Sequence, residues 1–279
     1  MSILSAILQA IVQGLTEFLP VSSSGHLMLV QHFTHVEASD ATFLSAIMHL
    51  GTLVAVFIAF RKTIWHLICE FFRMLKDIFT GKFHFKEMNE YRRMIFMLIL
   101  SLVPLLIILP FKDYYDALVE QGSLIFLGIC FVLTSILLYI SDRCVKGRKT
   151  AKDMKWSDAI TIGIAQGVAV LPGVSRSGST VAASLICGLS KKFAVQFSFI
   201  LGIPAILGAG LLEIKDAIET QANIEILPVI IGFVLSAITG LLAIKMVSWL
   251  IKSEKFRIFA YYTLALGAVV IGIGIFDLF

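Results

Sequence analysis

The sequence predicts an all-α polytopic membrane protein with six full spans and two opposed re-entrant helical hairpins related by an inverted-topology repeat. Hydrophobic residues make up 58% of the 279-residue chain and charged residues 15%, with a mean hydropathy of +0.92. This balance excludes an ordinary soluble domain. Several apolar segments are long enough to cross a bilayer, and two others contain matching polar interruptions. Because lipid-exposed irregular backbone is not tolerated in hydrocarbon, both interruptions should be buried in protein or line a polar cavity.

The full spans are predicted from apolar segments of about 18 residues or more, the length that a helix needs to cross the hydrocarbon core. These segments are 41–60, 94–111, 122–141, 194–212, 227–247 and 258–277. The interrupted segments, about 2–35 and 158–190, have halves that are too short to span, so they predict helix–break–helix hairpins. The chain 1–279 is therefore predicted to be a single integral membrane domain, with repeat 1 at about 1–141 and repeat 2 at about 154–279.

The charges of the loops predict the orientation. The segment 61–93 carries eight Lys and Arg against four Asp and Glu, and 142–157 and 247–257 are also basic, so these loops should be cytoplasmic. The segments 112–121 and 213–226 are net acidic and should lie outside. The first hairpin then enters from outside and the second from inside, because three spans separate them. This rule explains the formal charge of +4 without nucleic acid as a partner.

The segment 61–93 also alternates aromatic and basic side chains. This pattern suits an amphipathic helix at the membrane interface, in contact with anionic lipids. It equally suits an ordinary helix in a cytoplasmic loop, and the sequence supports both interpretations.

The two polar interruptions align without a gap at a separation of 153 positions. The first runs from Gln13 to His26 and the second from Gln166 to Thr180. Six residues are identical: Gln13/Gln166, Gly14/Gly167, Val21/Val174, Ser22/Ser175, Ser24/Ser177 and Gly25/Gly178. In inverted-repeat membrane proteins, broken helices of the two halves meet near the bilayer midplane. The repeat therefore predicts one shared site.

The first motif combines a polar helix face with a helix start. Gln9, Gln13 and Glu17 are spaced four apart, so they should lie on one face of the first helix. Pro20 ends that helix, and the serines that follow can cap the next half-helix, with His26 in its first turn. Free N–H groups at a helix N-terminus bind anions.

The second motif keeps this scaffold but changes its chemistry. Arg176 stands where the first motif has Ser23, and Glu17 is matched by Val170. The planar guanidinium of an arginine suits bidentate recognition of phosphate. A cation facing a nucleophile and an acid–base pair provides the groups that phosphoryl transfer requires.

Each of these residues also has a structural interpretation. Glu17 could be a buried acid paired with a neighbour, His26 could bond a carbonyl at a helix end, and Arg176 could only clamp helix ends. Single serines in membrane helices usually pack or bond to backbone, and only their clustering favours a site. The histidines have no metal-ligand spacing. Among the others, His49 is of interest because it lies in a predicted span next to Gly51.

On these residues the chain resembles the undecaprenyl-diphosphate phosphatase family, also named the bacitracin-resistance protein family. One signature of that family is Glu/Gln-x-x-x-Glu, present here as Gln13-Gly-Leu-Thr-Glu17. The other is Pro-Gly-x-Ser-Arg-Ser-x-x-Thr, present as Pro172-Gly-Val-Ser-Arg-Ser-Gly-Ser-Thr180. The connecting Pro-Val-Ser-Ser-x-Gly-His is also present, from Pro20 to His26. Many members have Glu at the position of Gln13, which places a carboxylate role there in question.

The resemblance implies an enzyme of the bacterial cell (inner) membrane that hydrolyses undecaprenyl diphosphate. The implied partners are the polyprenyl diphosphate lipid and the bilayer, and a homodimer is left open. Either Ser23 or His26 would attack the terminal phosphorus, with His26 or Glu17 accepting the proton if Ser23 attacks. The expected catalytic residues are Glu17, Ser23, His26 and Arg176, and the expected substrate-binding residues are Gln13, Ser22, Ser24, Gly173, Ser175, Ser177 and Thr180.

A metal site is not predicted by the residues themselves, because few acidic side chains lie near the motifs. A divalent cation, Mg²⁺ or Ca²⁺, could instead be held mainly by the phosphates of the substrate. A second class of function also fits an inverted repeat with broken helices. A secondary transporter or flippase for a lipid phosphate or small anion has the same architecture but needs no nucleophile.

Overall fold

The computed structural model describes residues 3–34, 38–84, 88–111, 124–144, 147–219, 226–252 and 256–276. Within these residues the chain forms eleven α-helices and a single isolated β-bridge, between Lys149 and Leu189. The helices are α1 (Ile3–Phe18), α2 (Ser23–Thr34), α3 (Ala38–Ala59), α4 (Arg61–Phe79), α5 (Glu90–Ile108), α6 (Leu124–Arg143), α7 (Trp156–Val168), α8 (Arg176–Ile186), α9 (Lys191–Glu219), α10 (Ile226–Lys252) and α11 (Arg257–Phe276). A short 3₁₀ turn, Leu109–Phe111, extends α5.

Five of the described helices are long and apolar enough to cross a membrane, namely α5 with its 3₁₀ extension, α6, α9, α10 and α11. They correspond to five of the six predicted spans. The remaining predicted span, 41–60, corresponds to α3, which meets the same criterion only together with α4. The two helices are bent by 87° at the break between them. The described residues therefore contain five spans, or six if this bent pair counts as one, as expected for an all-α polytopic membrane protein.

The helix α4 is amphipathic. Its buried face includes Ile64, Leu67 and Met74, whereas Trp65 and Phe72 are largely exposed. This confirms a helix in the first part of the segment 61–93. The end of this segment belongs to the start of α5. Asn89 caps α5 by accepting a hydrogen bond from a backbone N–H of its first turn.

A buried carboxylate fixes α4 to the start of α5. Glu70 accepts hydrogen bonds from Arg73 at 2.7 Å and from Asn89 and Arg92 at 2.9 Å each. Arg92 also contacts Asp77 at 2.7 Å. Buried charges are tolerated only when they are paired and hydrogen-bonded, and these contacts meet that condition. The network holds α4 across the end of the helix bundle.

The helix boundaries repeat along the chain. The helices α1, α2 and α3 begin at residues 3, 23 and 38, and α7, α8 and α9 begin at 156, 176 and 191, each 153 positions later. The packing follows the same pattern, since α1 packs on α10 and α7 packs on α5. The helices α3 and α9 pack on each other, as do α6 and α11. Each half therefore packs its first helix against a helix of the other half.

The contact between α1 and α10 depends on Gly14. A Cβ atom at this position would lie 2.7 Å from the carbonyl oxygen of Ser236 and 2.9 Å from the backbone nitrogen of Gly240. We expect Gly14→Ala to lower the stability of the purified protein by about 1–3 kcal/mol, because both neighbours are backbone atoms that cannot rotate away. Thermal unfolding in detergent measures this change. The matched control is Gly272→Ala on α11, where a Cβ would meet no atom within 4 Å. Equal unfolding temperatures for the two variants would contradict the prediction.

Candidate active site

The two polar interruptions contact each other directly. The first separates α1 from α2, and the second separates α7 from α8. The Ser177 hydroxyl donates a hydrogen bond to the carbonyl oxygen of Leu19 at 3.1 Å. A Cβ at Gly25 would lie 3.1 Å from Cα of Gly173, and a Cβ at Gly178 would lie 3.1 Å from Cβ of Pro20. Gly25 is equivalent to Gly178 in the repeat, and Pro20 is equivalent to Gly173. The last two contacts are therefore the same contact made once in each direction between the two motifs.

The same local hydrogen bonds occur in both motifs. Ser22 Oγ accepts from the N–H of Gly25 at 3.4 Å, and Ser175 Oγ accepts from the N–H of Gly178 at 3.0 Å. In each motif, two serine hydroxyl oxygens lie 3.3 Å apart. The backbones differ, because Ser22 has φ of 73° whereas Ser175 has φ of −72°. A non-glycine residue with positive φ is strained, and such strain clusters at functional sites.

Several predicted substrate-binding residues of the second motif are buried and bonded within the protein. The N–H of Ser175 donates to Thr134 Oγ1 at 3.1 Å, and the Thr180 hydroxyl donates to the carbonyl oxygen of Arg176 at 2.9 Å. Gly173 has φ of +90°, a conformation that favours glycine. These residues shape the turn that presents Arg176. Among the predicted residues of the first motif, Ser24 is exposed and Ser23 is partly exposed.

Glu17 is the centre of the site. Gln9, Gln13 and Glu17 lie on one buried face of α1, as predicted, and Glu17 is only 5% exposed. Glu17 Oε2 accepts hydrogen bonds from Ser23 Oγ at 2.6 Å and from Gln13 Nε2 at 2.8 Å. Glu17 Oε1 forms an ion pair with Nη2 of Arg176. One buried carboxylate thus binds the predicted nucleophile of the first motif and the cation of the second.

Arg176 has two hydrogen-bond partners among the described residues. Besides Glu17, it donates from Nη1 to the carbonyl oxygen of Gly202 on α9 at 2.9 Å. Its side chain is 20% exposed. A guanidinium has five N–H donors, so these contacts leave donors for an anion. The ion pair explains how a charged residue is tolerated inside an apolar bundle, where an unpaired charge would be costly.

His26 lies in the first turn of α2, as predicted, but its partners are not Ser23 or Glu17. Its Nδ1 lies 2.6 Å from the carbonyl oxygen of Ser22, which can only accept, so Nδ1 carries a proton. In the neutral ring Nε2 then accepts from the Tyr262 hydroxyl at 2.8 Å. The ring also stacks on Tyr262. This is the carbonyl-bonded arrangement that was one of the two interpretations of the sequence, and the hydrogen bond from Tyr262 occupies the lone pair of Nε2.

Two further residues join the cluster. His49 on α3 places Nε2 3.9 Å from Glu17 Oε2 and Nδ1 3.3 Å from Glu213 Oε2 on α9. Its Nδ1 also donates to the carbonyl oxygen of Ser45 at 2.9 Å. The position of His49 inside an apolar span was a signal in the sequence. Nothing in the sequence marked Glu213 or Tyr262 as site residues, because both lie outside the two motifs and reach the site only through helix packing.

Some buried polar atoms have no hydrogen-bond partner among the described residues. They include Gln13 Oε1, both amide atoms of Gln166 and the Ser179 hydroxyl. Gln13 and Gln166 occupy equivalent positions of the repeat. Buried polar groups are normally paired with protein or ordered water, so these atoms are available to bind water or a polar part of a substrate.

A metal site formed by the protein alone does not fit the described residues. They contain no group of three or more His, Cys, Asp or Glu side chains that could hold a metal ion. The carboxylate of Glu17 already binds Ser23, Gln13 and Arg176. Gln13 Oε1 has no hydrogen-bond partner among the described residues, so it could offer a metal ion one neutral ligand. Mg²⁺ usually keeps several waters and binds through one or two carboxylates and substrate phosphates.

Known proteins match this chain along almost its whole length. The model of the family described as bacitracin resistance protein BacA matches residues 6–269. A curated relative from Alkaliphilus metalliredigens, named undecaprenyl-diphosphatase, is 41% identical over 273 residues, which cover 97% of this chain and 98% of the relative. Relatives of the same name from Methanosphaera stadtmanae and Carboxydothermus hydrogenoformans are 42% identical over 275 residues and 38% identical over 275 residues, with coverage of at least 97% of each chain.

Proposed function

The chain belongs to the bacitracin resistance protein BacA family, and from this membership we infer that it hydrolyses undecaprenyl diphosphate to undecaprenyl phosphate and inorganic phosphate. It is a multi-pass membrane enzyme. The reaction recycles the lipid carrier of peptidoglycan synthesis, and the activity confers bacitracin resistance.

The observation that carries the mechanism is the buried Glu17–Arg176 ion pair, to which the Ser23 hydroxyl is bonded at 2.6 Å. This arrangement brings a nucleophile, a base and a phosphate-binding cation together from residues 159 positions apart. A general base must lie within hydrogen-bond reach of the proton that it removes, and Glu17 meets this condition for Ser23. The described contacts of His26 lead instead to Ser22 and Tyr262.

In the first step, Ser23 Oγ attacks the terminal phosphorus and its proton passes to Glu17. The bond between that phosphorus and the bridging oxygen breaks, and undecaprenyl phosphate leaves with the electron pair. Arg176 stabilises the negative charge that develops on the phosphoryl oxygens, using the donors that its two protein contacts leave free.

In the second step, water attacks the phosphorus of the phosphoserine, and the bond from phosphorus to Ser23 Oγ breaks. Inorganic phosphate leaves, and the serine oxygen regains a proton from Glu17. The water loses a proton to His26 Nε2 after the Tyr262 hydroxyl gives up its hydrogen bond to that nitrogen. His26 then releases this proton to solvent, so over both steps one water is consumed, one proton is released and the enzyme is restored.

We propose that a divalent cation, Mg²⁺ or Ca²⁺, arrives with the diphosphate, because the described residues contain no group of three or more His, Cys, Asp or Glu side chains that could hold one alone. Such a cation would neutralise phosphate charge.

We further propose that α1–α2 and α7–α8 are re-entrant hairpins that enter from opposite sides of the bacterial inner membrane. The support is the common separation of 153 positions and the exchange of contacts between Gly25–Gly173 and Gly178–Pro20. A two-fold relation between inverted halves produces such an exchange. The basic loops, including the α4 region, would then lie on the cytoplasmic side.

The test is phosphate release from undecaprenyl diphosphate by the purified protein in detergent. We expect multiple turnovers, whereas a transporter or flippase with the same architecture would release no phosphate. The same assay with EDTA, and with Mg²⁺ or Ca²⁺ restored, measures the contribution of a cation carried by the substrate. Absence of phosphate release with and without added cation would contradict the proposed function.

The contacts of His49 predict a positioning role. We expect His49→Gln to lower kcat by about tenfold with little change in KM, because Glu17 loses a neighbour that orients it without touching substrate. Glu213→Gln should have a smaller effect in the same direction. The matched control is His32→Gln on the exposed side of α2. Steady-state phosphate release separates kcat from KM, and a change confined to KM would contradict the role.

A further inference from the structure

A cavity lies at the C-terminal end of α3, whereas His49, the neighbour of Glu17, lies near the middle of that helix. It has a volume of about 700 Å³ and is lined where α3 ends, where α4, α5 and α9 begin, and near the end of α10. Its lining includes Ala59, which lies about 15 Å along α3 from His49 at the usual rise of a helix. None of the residues that line it belongs to the two motifs, so it is separate from the candidate active site.

Positive charge surrounds this cavity. Its lining contains four basic side chains and one acidic side chain, namely Arg61, Lys62, Lys191, Lys192 and Glu90. Arg61 and Lys62 begin α4, and Lys191 and Lys192 begin α9. The N-terminus of a helix carries partial positive charge, so cations at this position are unfavourable. Neither helix has an acidic residue in its first turn, and the residue that precedes α4 makes no side-chain cap.

The helix α5, which also begins at this cavity, has the residue types that usually stabilise a helix N-terminus. In α5 the Asn89 side chain caps the first turn, and Glu90 places a negative charge beside the helix N-terminus. The other two helices have cations at these positions instead. An anion in the cavity would be attracted by those cations and would accept hydrogen bonds from the N-terminal N–H groups.

The rest of the lining is mostly apolar, and it also includes Thr63, Tyr91, Gln196 and Ser248. The apolar part is formed by side chains from α3, α5, α9 and α10, together with the residue that links α3 to α4: Ala59, Phe60, Met94, Phe193, Val195 and Ile251. The cavity thus presents a cationic side and an apolar side. Inorganic phosphate needs only the first of these, whereas an amphiphile with a phosphate headgroup uses both.

The neighbouring surface also favours a lipid. The helix α4 starts at the cavity, and two aromatic side chains of its outer face, Trp65 and Phe72, are 65% and 64% exposed. An amphipathic helix with exposed aromatic side chains and basic residues lies in the membrane interface. A hydrogen bond of 2.7 Å from Gln196 Nε2 to Thr63 Oγ1 connects α9 to α4 among the lining residues.

We propose that this cavity is a binding site for the phosphate headgroup and upper chain of a membrane lipid, distinct from the site of hydrolysis. Arg61, Lys62, Lys191 and Lys192 bind the phosphate, and the apolar wall binds the adjoining hydrocarbon. An alternative role for these cations is to fix orientation in the membrane. Fixing the orientation does not require the cavity to bind a ligand, so binding measurements distinguish that role from a lipid site.

The test is the thermal unfolding of the purified full-length chain in detergent, titrated with short-chain phosphatidylglycerol, short-chain phosphatidylcholine or inorganic phosphate. The cavity variant is Lys62→Gln/Lys192→Gln. The matched control, Lys76→Gln/Lys152→Gln, removes two exposed lysines that do not line the cavity. We expect phosphatidylglycerol to raise the unfolding temperature of the wild type and the control by about 2 °C or more. The cavity variant should lose most of this shift while it keeps phosphate release.

Each other outcome contradicts the proposal. Equal shifts in the cavity variant and the control would exclude the cavity as the site. A cavity-dependent shift with inorganic phosphate that matches the shift with phosphatidylglycerol would assign the site to a free anion and exclude the lipid. Any phosphate bound at the active site contributes equally to all variants and cancels in the comparison. If the double variant does not fold, Lys192→Gln alone should lose a substantial part of the shift.

Discussion

Ser23→Ala is expected to lower single-turnover phosphate release by about 10⁴-fold or more, because removal of a nucleophile abolishes the covalent route. The hydroxyl contributes one hydrogen bond of 2.6 Å to Glu17, so the loss of stability should be only about 1 kcal/mol. A large loss of rate with nearly unchanged unfolding would therefore report chemistry and not misfolding. Rapid mixing of excess enzyme with substrate measures the rate.

The matched control is Ser157→Ala, which removes an exposed hydroxyl of α7 that lies outside both motifs. His26→Ala tests the alternative that His26 is the nucleophile. Because we assign the attack to Ser23, we expect this variant to slow the second step more than the first. Acid quench separates the two nucleophiles, because phosphoserine survives acid and phosphohistidine does not. A near-wild-type rate for Ser23→Ala, or an acid-labile enzyme phosphate that it still forms, would exclude Ser23 as the nucleophile.

Arg176→Ala is expected to lower phosphate release by about 10³-fold, the effect of removing a strong donor aimed at developing charge. It should also lower the stability by about 3–5 kcal/mol, because Glu17 is then a buried carboxylate without its cation. Arg176→Lys keeps the charge but loses the planar fork that contacts Glu17 and Gly202 together. Its rate should lie between those of the wild type and the alanine variant.

A double variant separates stability from chemistry. Glu17→Gln/Arg176→Ala removes both charges, so its unfolding temperature should rise above that of Arg176→Ala, whereas its activity should stay at the lowest level. Thermal unfolding and phosphate release are measured on the same preparations. Recovery of activity in the double variant would mean that Arg176 acts only by neutralising Glu17 and does not bind phosphate.

The spans and the interrupted segments could be predicted because they depend on local properties. Apolar length identifies a helix that can cross the membrane, and a spacing of four placed Gln13 and Glu17 on one face. The break at Pro20 and the helix that begins at Arg176 follow from turn and capping chemistry. The predicted span 41–60 corresponds to the continuous helix α3, and the chain bends by 87° only where it leaves α3 for α4.

The partners within the site could be predicted only in part. That the two motifs meet follows from the repeat, and Ser177 does contact Leu19. The sequence left open whether Ser23 bonds Glu17 or His26, because both lie within a few residues of it. The structure places Ser23 on Glu17 and turns His26 towards Tyr262, which is 236 positions away.

The sequence by itself determined the class of the protein and its family, and it predicted the residues that would carry its chemistry. Apolar length, helix periodicity and a repeated motif can all be read from the sequence without the structure. The tertiary structure decided which residues touch: Glu17 with Arg176, and His49 with Glu213, which the sequence did not single out. It also formed the basic cavity, whose lining comes from five helices. Such contacts depend on how helices pack, and residues far apart in sequence meet only after that packing is complete.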